Sequence, residues 1–407
     1  MQTKSIKWRE PAGATLKAAA AGDFCPREAN SEDTALRADE ITGELKSWFG
    51  QSDLRILQWE CAVTEKDTPI DKSGPNHRCF PPAVAFAQSL GIDLALLANN
   101  HTGDYGESGV RDTLEAFRSR GIRTVGAGLN RQEAETPVIL EINGIRLAVL
   151  NAAEHEFGIA GENRPGAAGL DPIRLAGQIR NLKRNGYVVL AALHGGHEHY
   201  MFPSPRLQQL CRFLAESGAD AVFNCHTHCP CGYEIHNGVP IVYSPGNFYF
   251  PPRPTSLPVW YIGYVPKFCF DRNGAYALEL LPYYNRKSRL ALMPESDAGQ
   301  FFAWLDKLND PLTQPSLLQE YFDAWCIISG LNGYLKAFRN PCPPYQFEDR
   351  SQIREWLGIR NLFSCESHHD LLRNTLSLIE FGKLKAAEKY VPVIQGLQNP
   401  AWVAKQE

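Results

Sequence analysis

His226-Thr227-His228 is the triplet on which chemistry could turn. It follows the apolar run 221–223, and in an extended segment side chains two apart point the same way. Two imidazoles would then face one point from a stiff support, which is what a metal ion asks of its ligands. Residues 224–250 read NCHTHCPCGYEIHNGVPIVYSPGNFYF, so cysteines crowd the same pair. Two readings stay open here. Cys225, His226, His228, Cys229 and Cys231 could hold a structural zinc by themselves, although they are packed more tightly than ordinary finger spacings. The alternative is that the histidines belong to a wider donor set.

That wider set exists in the sequence. Asp23 follows the apolar run 15–21 and Glu60 follows 54–59. Asn100 and His101 follow 93–98, and His194 follows 187–193. Open α/β sheets place their sites at such strand ends. Asp23, Glu60, Asn100, His194, His226 and His228 are more donors than one metal with an open position needs. They suit two divalent transition metals sharing a bridging carboxylate. Mixed carboxylate, amide and imidazole donors point to zinc, manganese or iron. His101 is then free to act as a general acid or to hold an oxyanion, with Asp104 orienting it. His77 and Arg78, in the polar loop 64–82, are candidate contacts for an anionic substrate.

The elements that must position these residues alternate. Strands are expected at 15–21, 54–59, 93–98, 123–125, 187–193 and 219–223, and helices at 35–49, 83–90, 107–119, 175–183 and 205–217. Asn143-Gly144 and Asn237-Gly238 read as hairpin turns, and 151–170 as a loop over the site. Strands at 260–271 and 275–281 close around Arg272-Asn273-Gly274. From about 296 the spacing turns helical, at 301–308, 316–338, 352–357 and 369–390, with no chemical motif. Its Trp and Phe residues read as core. His368-His369 reads as a helix start, and His155, His199 and His236 as ordinary satisfied histidines.

Bulk properties bound the rest. The 407 residues leave room for a sizeable core and two domains. A composition of 44% hydrophobic and 21% charged residues is that of a soluble globular chain. A net charge of -4 argues against a surface built to grip nucleic acid. No run is long enough for a membrane span, and MQTKSIKWREPAG has no apolar secretory core, so the expectation is a cytoplasmic protein. Its 11 irregularly spaced cysteines read as reduced thiols.

The sequence resembles the CapA family of poly-γ-glutamate capsule proteins. The resemblance rests on Gly22-Asp23, Glu60, Phe80-Pro81-Pro82, residues 98–106 (ANNHTGDYG), Gly126-Ala127-Gly128, His194, Glu198, His226-Thr227-His228 and residues 237–248 (NGVPIVYSPGNF). It covers roughly residues 18–250. It implies an α/β calcineurin-like metallophosphoesterase fold, a layered β-sandwich flanked by helices, over 1–290, with a C-terminal helical region at 291–407. It implies that Asp23 and His228 hold one metal, that Asn100, His194 and His226 hold the other, and that Glu60 bridges. His101 would sit near the leaving group, with Glu198 among the substrate contacts. The function implied is a bacterial metal-dependent hydrolase, a phosphoesterase acting on an anionic cell-surface polymer or its precursor, such as capsule polysaccharide or poly-γ-glutamate. The alternative is a non-catalytic capsule-assembly protein that binds an anionic polymer or synthase partners. The chain departs from the pattern at Cys25, where related phosphoesterases place a histidine, at Gly195, in place of a tryptophan, and at Cys225, in place of a histidine.

Overall fold

The apolar runs fold as strands and sort into two packed sheets. The computed structural model describes residues 2–27, 38, 42–250, 257–286, 289–338 and 353–403. Its larger sheet has nine strands. Thr15–Phe24, Leu54–Trp59, Leu94–Leu96 and Arg123–Val125 run parallel through it. Ile262–Asp271 and Gly274–Arg286 continue it antiparallel. The second sheet has six strands, with a parallel centre of Ile145–Ala153, Val188–His194, Ala221–Cys225 and Val239–Val242. Hairpins around Asn143-Gly144 and Asn237-Gly238 add an antiparallel strand at each edge.

Side-chain alternation assembles the layers. Along the larger sheet Leu16, Ala18, Ala20, Leu54, Ile56, Leu94 and Leu96 share one core with the second sheet. Their neighbours Ala19, Ala21, Leu57, Trp59, Ala95 and Leu97 face a separate core with Trp48, Phe86 and Phe117. A period of two thus sends successive residues to opposite faces. On the outer face of the second sheet lie the helices Pro172–Arg184 and Pro205–Glu216, through Leu175, Ile179, Leu207 and Leu214. Asp171 and Ser204 cap their first turns, each cap contributing about 1 kcal/mol. The order is helix, sheet, sheet, helix, and both sheets point their parallel carboxyl ends at one edge.

The helices after the last strand share this core. Phe301, Trp304 and Leu308 of Glu295–Asn309, and Phe322 and Trp325 of Pro315–Trp325, are buried in the cluster that joins the sheets. Phe363 and Phe381 are exposed instead.

Several boundaries differ from the sequence expectation. The strand 15–21 runs on to Phe24, so Asp23 lies inside it. The expected helix 35–49 falls partly outside the described residues, and what is described is Leu45–Gly50. The span 316–338 is broken into Pro315–Trp325, a π-helical turn Cys326–Leu331 and a short 3-10 turn Tyr334–Phe338. The span 369–390 starts earlier, at Glu366, and stops at Glu380 before Gly382, whose φ is 62°.

Candidate metal centre

Each donor is held by an element that gives it little freedom. Gly22 precedes Asp23 because no larger residue fits: a Cβ there would lie 2.1 Å from Gly246 O. The Glu60 N–H donates to Phe24 O, which ties the end of Leu54–Trp59 to that of Thr15–Phe24. Asn99 folds the third turn: its amide donates to Trp59 O while its Oδ1 accepts the N–H of His101. His194 is the last residue of Val188–His194.

His226 and His228 are not in the extended segment that their spacing suggested. The strand ends at Cys225, and the two histidines have φ of 106° and 56°. Left-handed backbone at a β-branch-free but bulky residue costs of order 1 kcal/mol or more. The chain is therefore folded on itself here. The two rings, 6.2 Å apart, meet the cluster from a turn rather than from one strand face.

Four donors surround one point. His194 Nε2 lies 3.1 Å from Asn100 Oδ1, 3.1 Å from His226 Nδ1 and 3.4 Å from Glu60 Oε1. Glu60 Oε1 is also 3.9 Å from His228 Nε2, and His228 Nδ1 is 3.7 Å from Asp23 Oδ2. Ligand bonds of about 2.0–2.2 Å put neighbouring donors about 3–3.5 Å apart. Glu60, His194 and His226 form one ligand-sized group, and Asp23, Glu60 and His228 form another, with Glu60 common to both.

The electrostatics ask for cations. Burial first, and Glu60 second, push the Asp23 carboxyl up to about 7. Burial also pulls His194 down and His228 well below the ordinary imidazole range, which leaves both neutral as metal ligands must be. His194 Nδ1 is buried without a hydrogen-bond partner among the described residues, and Asp23 Oδ1 stands 3.8 Å away, too far for one. The donor types and spacings fit two divalent ions sharing Glu60.

His101 stands beside this set. Its Nδ1 is 2.6 Å from Asp104 Oδ2, and burial holds the imidazole well below its usual range. Asp104 also accepts from Lys72 Nζ at 2.7 Å and from the His77 N–H at 2.6 Å. His77 has no exposed surface, and its ring stacks on His101 with centroids 4.2 Å apart. The sequence placed His77 with Arg78 and Glu198 as substrate contacts. Arg78 lies over the Tyr105 and Phe80 rings and pairs with Asp67 at 3.2 Å. The Glu198 side chain is 43% exposed and stands at the rim beside His199.

The rival zinc finds little support. Among the described residues, no ligand-sized group joins Cys225, Cys229 or Cys231 to the histidine pair. Cys231 Sγ points to Tyr200 O at 3.5 Å, and Thr227 Oγ1 donates to Cys229 O. Cys25 is buried within the aromatic core beside Cys61.

A sequence model of the family described as bacterial capsule synthesis protein PGA_cap matches residues 17–252, which include every donor named above. The chain belongs to the PGA_cap family. It is 33% identical to the capsule biosynthesis protein CapA of Bacillus anthracis over 41% of this chain and 42% of that one. It is 34% identical to the PGA biosynthesis protein CapA of Bacillus subtilis strain 168, over 52% and 57%. It is 28% identical to a probable polyglutamine synthesis accessory protein of Mycobacterium tuberculosis, over 48% and 55%. The chain thus matches about half the length of these relatives. No helix among the described residues is long and apolar enough to cross a membrane.

Four residues around the PGA_cap centre escaped the sequence reading. Asn247 Oδ1 accepts from His228 Nδ1 at 2.9 Å and so leaves Nε2 to face Glu60. Lys72 is buried against Asp104. Glu156 Oε1 lies 3.8 Å from His226 Nε2. Glu154 accepts from the N–H groups of Gly196 and Ser367 and pairs with Arg206. Only Asn247 had a signal, its place in the motif 237–248. The others sit in stretches without periodicity.

Proposed function

We propose that this PGA_cap protein is a di-metal hydrolase of calcineurin-like metallophosphoesterase architecture. Its substrate would be a phosphoester, an anionic cell-surface polymer of the capsule or poly-γ-glutamate type or the precursor of one. The observation that carries the reading is the convergence of Asn100, His226 and Glu60 on His194 Nε2 at 3.1–3.4 Å. Asp23 and His228 would hold one ion, Asn100, His194 and His226 the other, and Glu60 would bridge. Zinc, manganese or iron suits this donor set. Bound there, two ions would activate a water and neutralise charge on the reacting phosphoryl group.

The remaining roles belong to side chains. Asp104 occupies His101 Nδ1, which leaves Nε2 to the substrate. An approaching anion favours the doubly protonated ring, and the Asp104 carboxylate stabilises it. His101 can then give its Nε2 proton to the departing oxygen. His77 holds the ring plane from behind. Asn247 fixes the His228 tautomer.

The test is hydrolysis of a panel of phosphomonoesters and phosphodiesters by protein reloaded with manganese or zinc. Turnover that is lost in Asp23→Ala and His226→Ala supports the reading. Metal binding with no hydrolysis of any ester would instead favour an assembly protein that uses the same pocket to hold an anionic polymer.

A further inference from the structure

The C-terminal helices bring a second set of ligands to the rim. We propose that Glu156, Cys365 and His368 form a further cation site suited to zinc. A carboxylate oxygen, a sulfur and a ring nitrogen from these three residues all lie within 4.8 Å of one another. None of them belongs to the set proposed above. Thiolate, imidazole and carboxylate are the ligand types that zinc takes, and the sulfur disfavours magnesium and calcium.

The surroundings hold this trio only loosely, with the Cys365 thiol donating to Glu154 Oε2 at 3.7 Å. Two other acids crowd the same place, but both are engaged. Glu154 pairs with Arg206 and accepts the Ser367 N–H. Glu366 accepts from His155 Nδ1 at 2.6 Å. Glu156 has no Lys or Arg ion pair among the described residues; its carboxylate meets the Asn361 amide at 3.3 Å and His226 at 3.8 Å. A buried acid so placed lacks a full counter-charge.

Each partner is also oriented. Cys365 immediately precedes the fifteen-residue helix Glu366–Glu380; burial first, then Glu154 and Glu156, push its thiol well up, so it would give up its proton only to a bound cation. The His368 ring lies flat on Tyr334, 5.2 Å between centroids and 9° between planes. Glu156 and Cys365 are buried while His368 is half-buried, which leaves a way in for an ion. On binding, Cys365 would release its thiol proton to solvent. The ion would pin the start of this helix beside Glu156 and thus beside His226.

Cobalt(II) substitution of the full chain tests this. A thiolate bound to cobalt gives a sulfur-to-metal charge-transfer absorption, and Cys365 is the only cysteine within a ligand-sized group among the described residues. The wild type should show the band and Cys365→Ser should lack it. Zinc content should fall by one ion per chain in Cys365→Ser and in His368→Ala, with circular dichroism confirming the fold. Asp23→Asn should keep the band, which separates this site from the di-metal reading. A cobalt-loaded wild type without the band, or unchanged zinc in both variants, would overturn the inference whatever the fate of the catalytic reading.

Discussion

His101 Nδ1 lies 2.6 Å from Asp104 Oδ2, and the same carboxylate holds the ammonium of Lys72 at 2.7 Å. One buried acid thus fixes the His101 ring, proposed to face the substrate, and neutralises a lysine that is almost wholly out of water. Asp104→Ala would strand that charge, so urea unfolding should show a loss of about 3–5 kcal/mol. Adding Lys72→Met to Asp104→Asn should recover most of it, since no unpaired charge then remains. His101→Gln should keep the metal and the fold while lowering kcat about 100-fold.

Glu60 lies between proposed ligands of two ions, 3.4 Å from His194 Nε2 and 3.9 Å from His228 Nε2. Glu60→Gln keeps the shape and removes the charge. Elemental analysis should find metal content reduced, and hydrolysis should fall by at least about 100-fold, the scale seen even for lost outer supports of a metal. Unchanged metal content would remove Glu60 from the bridging role.

Glu154 ties the helix Glu366–Glu380 to the loop after His194, through the N–H groups of Ser367 and Gly196 and through Arg206. Arg206 holds the Glu154 carboxyl down at about 2, despite its burial. Glu154→Ala leaves Arg206 with the Asp370 carboxylate at 3.6 Å and the Ser367 hydroxyl at 3.0 Å. Unfolding should cost about 3–5 kcal/mol less, and hydrogen exchange should rise at the start of that helix.

His197 is buried against Phe322 and Tyr200, and burial pushes its imidazole from 6.5 down to about 3. Below 6.5 the unfolded chain takes up a proton that the native state refuses, so stability falls as pH falls. The contribution is intact above about 6.5 and is lost progressively towards about 3. His77, pushed down to about 2, acts with the same sign, as do His101, His194 and His228. Asp23 opposes them: held up at about 7, it lowers the stability of the metal-free protein as pH rises from 3.8. Chelated protein should therefore lose stability from about pH 7 to about pH 5. His197→Phe should flatten that slope by about 1.4 kcal/mol per pH unit, one proton's worth, in urea titrations.

The strands were legible because buried parallel strands read as apolar runs, as 187–193 and 93–98 do. The donors at their ends were legible for the same reason. That two sheets share them came only from the family resemblance, because periodicity gives each strand's faces but not its neighbours. The turn conformations of His226 and His228 were hidden too, since spacing says nothing of φ. Glu154, Glu156 and Cys365 left no trace, because their meeting depends on how residues some two hundred positions apart pack. His368-Tyr334 stacking could not have been read from a polar helix start.

The central claim is that two ions share Glu60 between Asp23 and His228 on one side and Asn100, His194 and His226 on the other. Crystals grown with manganese or zinc and measured at the metal's absorption edge test it most directly. Two anomalous peaks about 3.5–4 Å apart, both within ligand distance of Glu60, are predicted. Metal-soaked crystals with no anomalous density between Asp23 and His194 would contradict it.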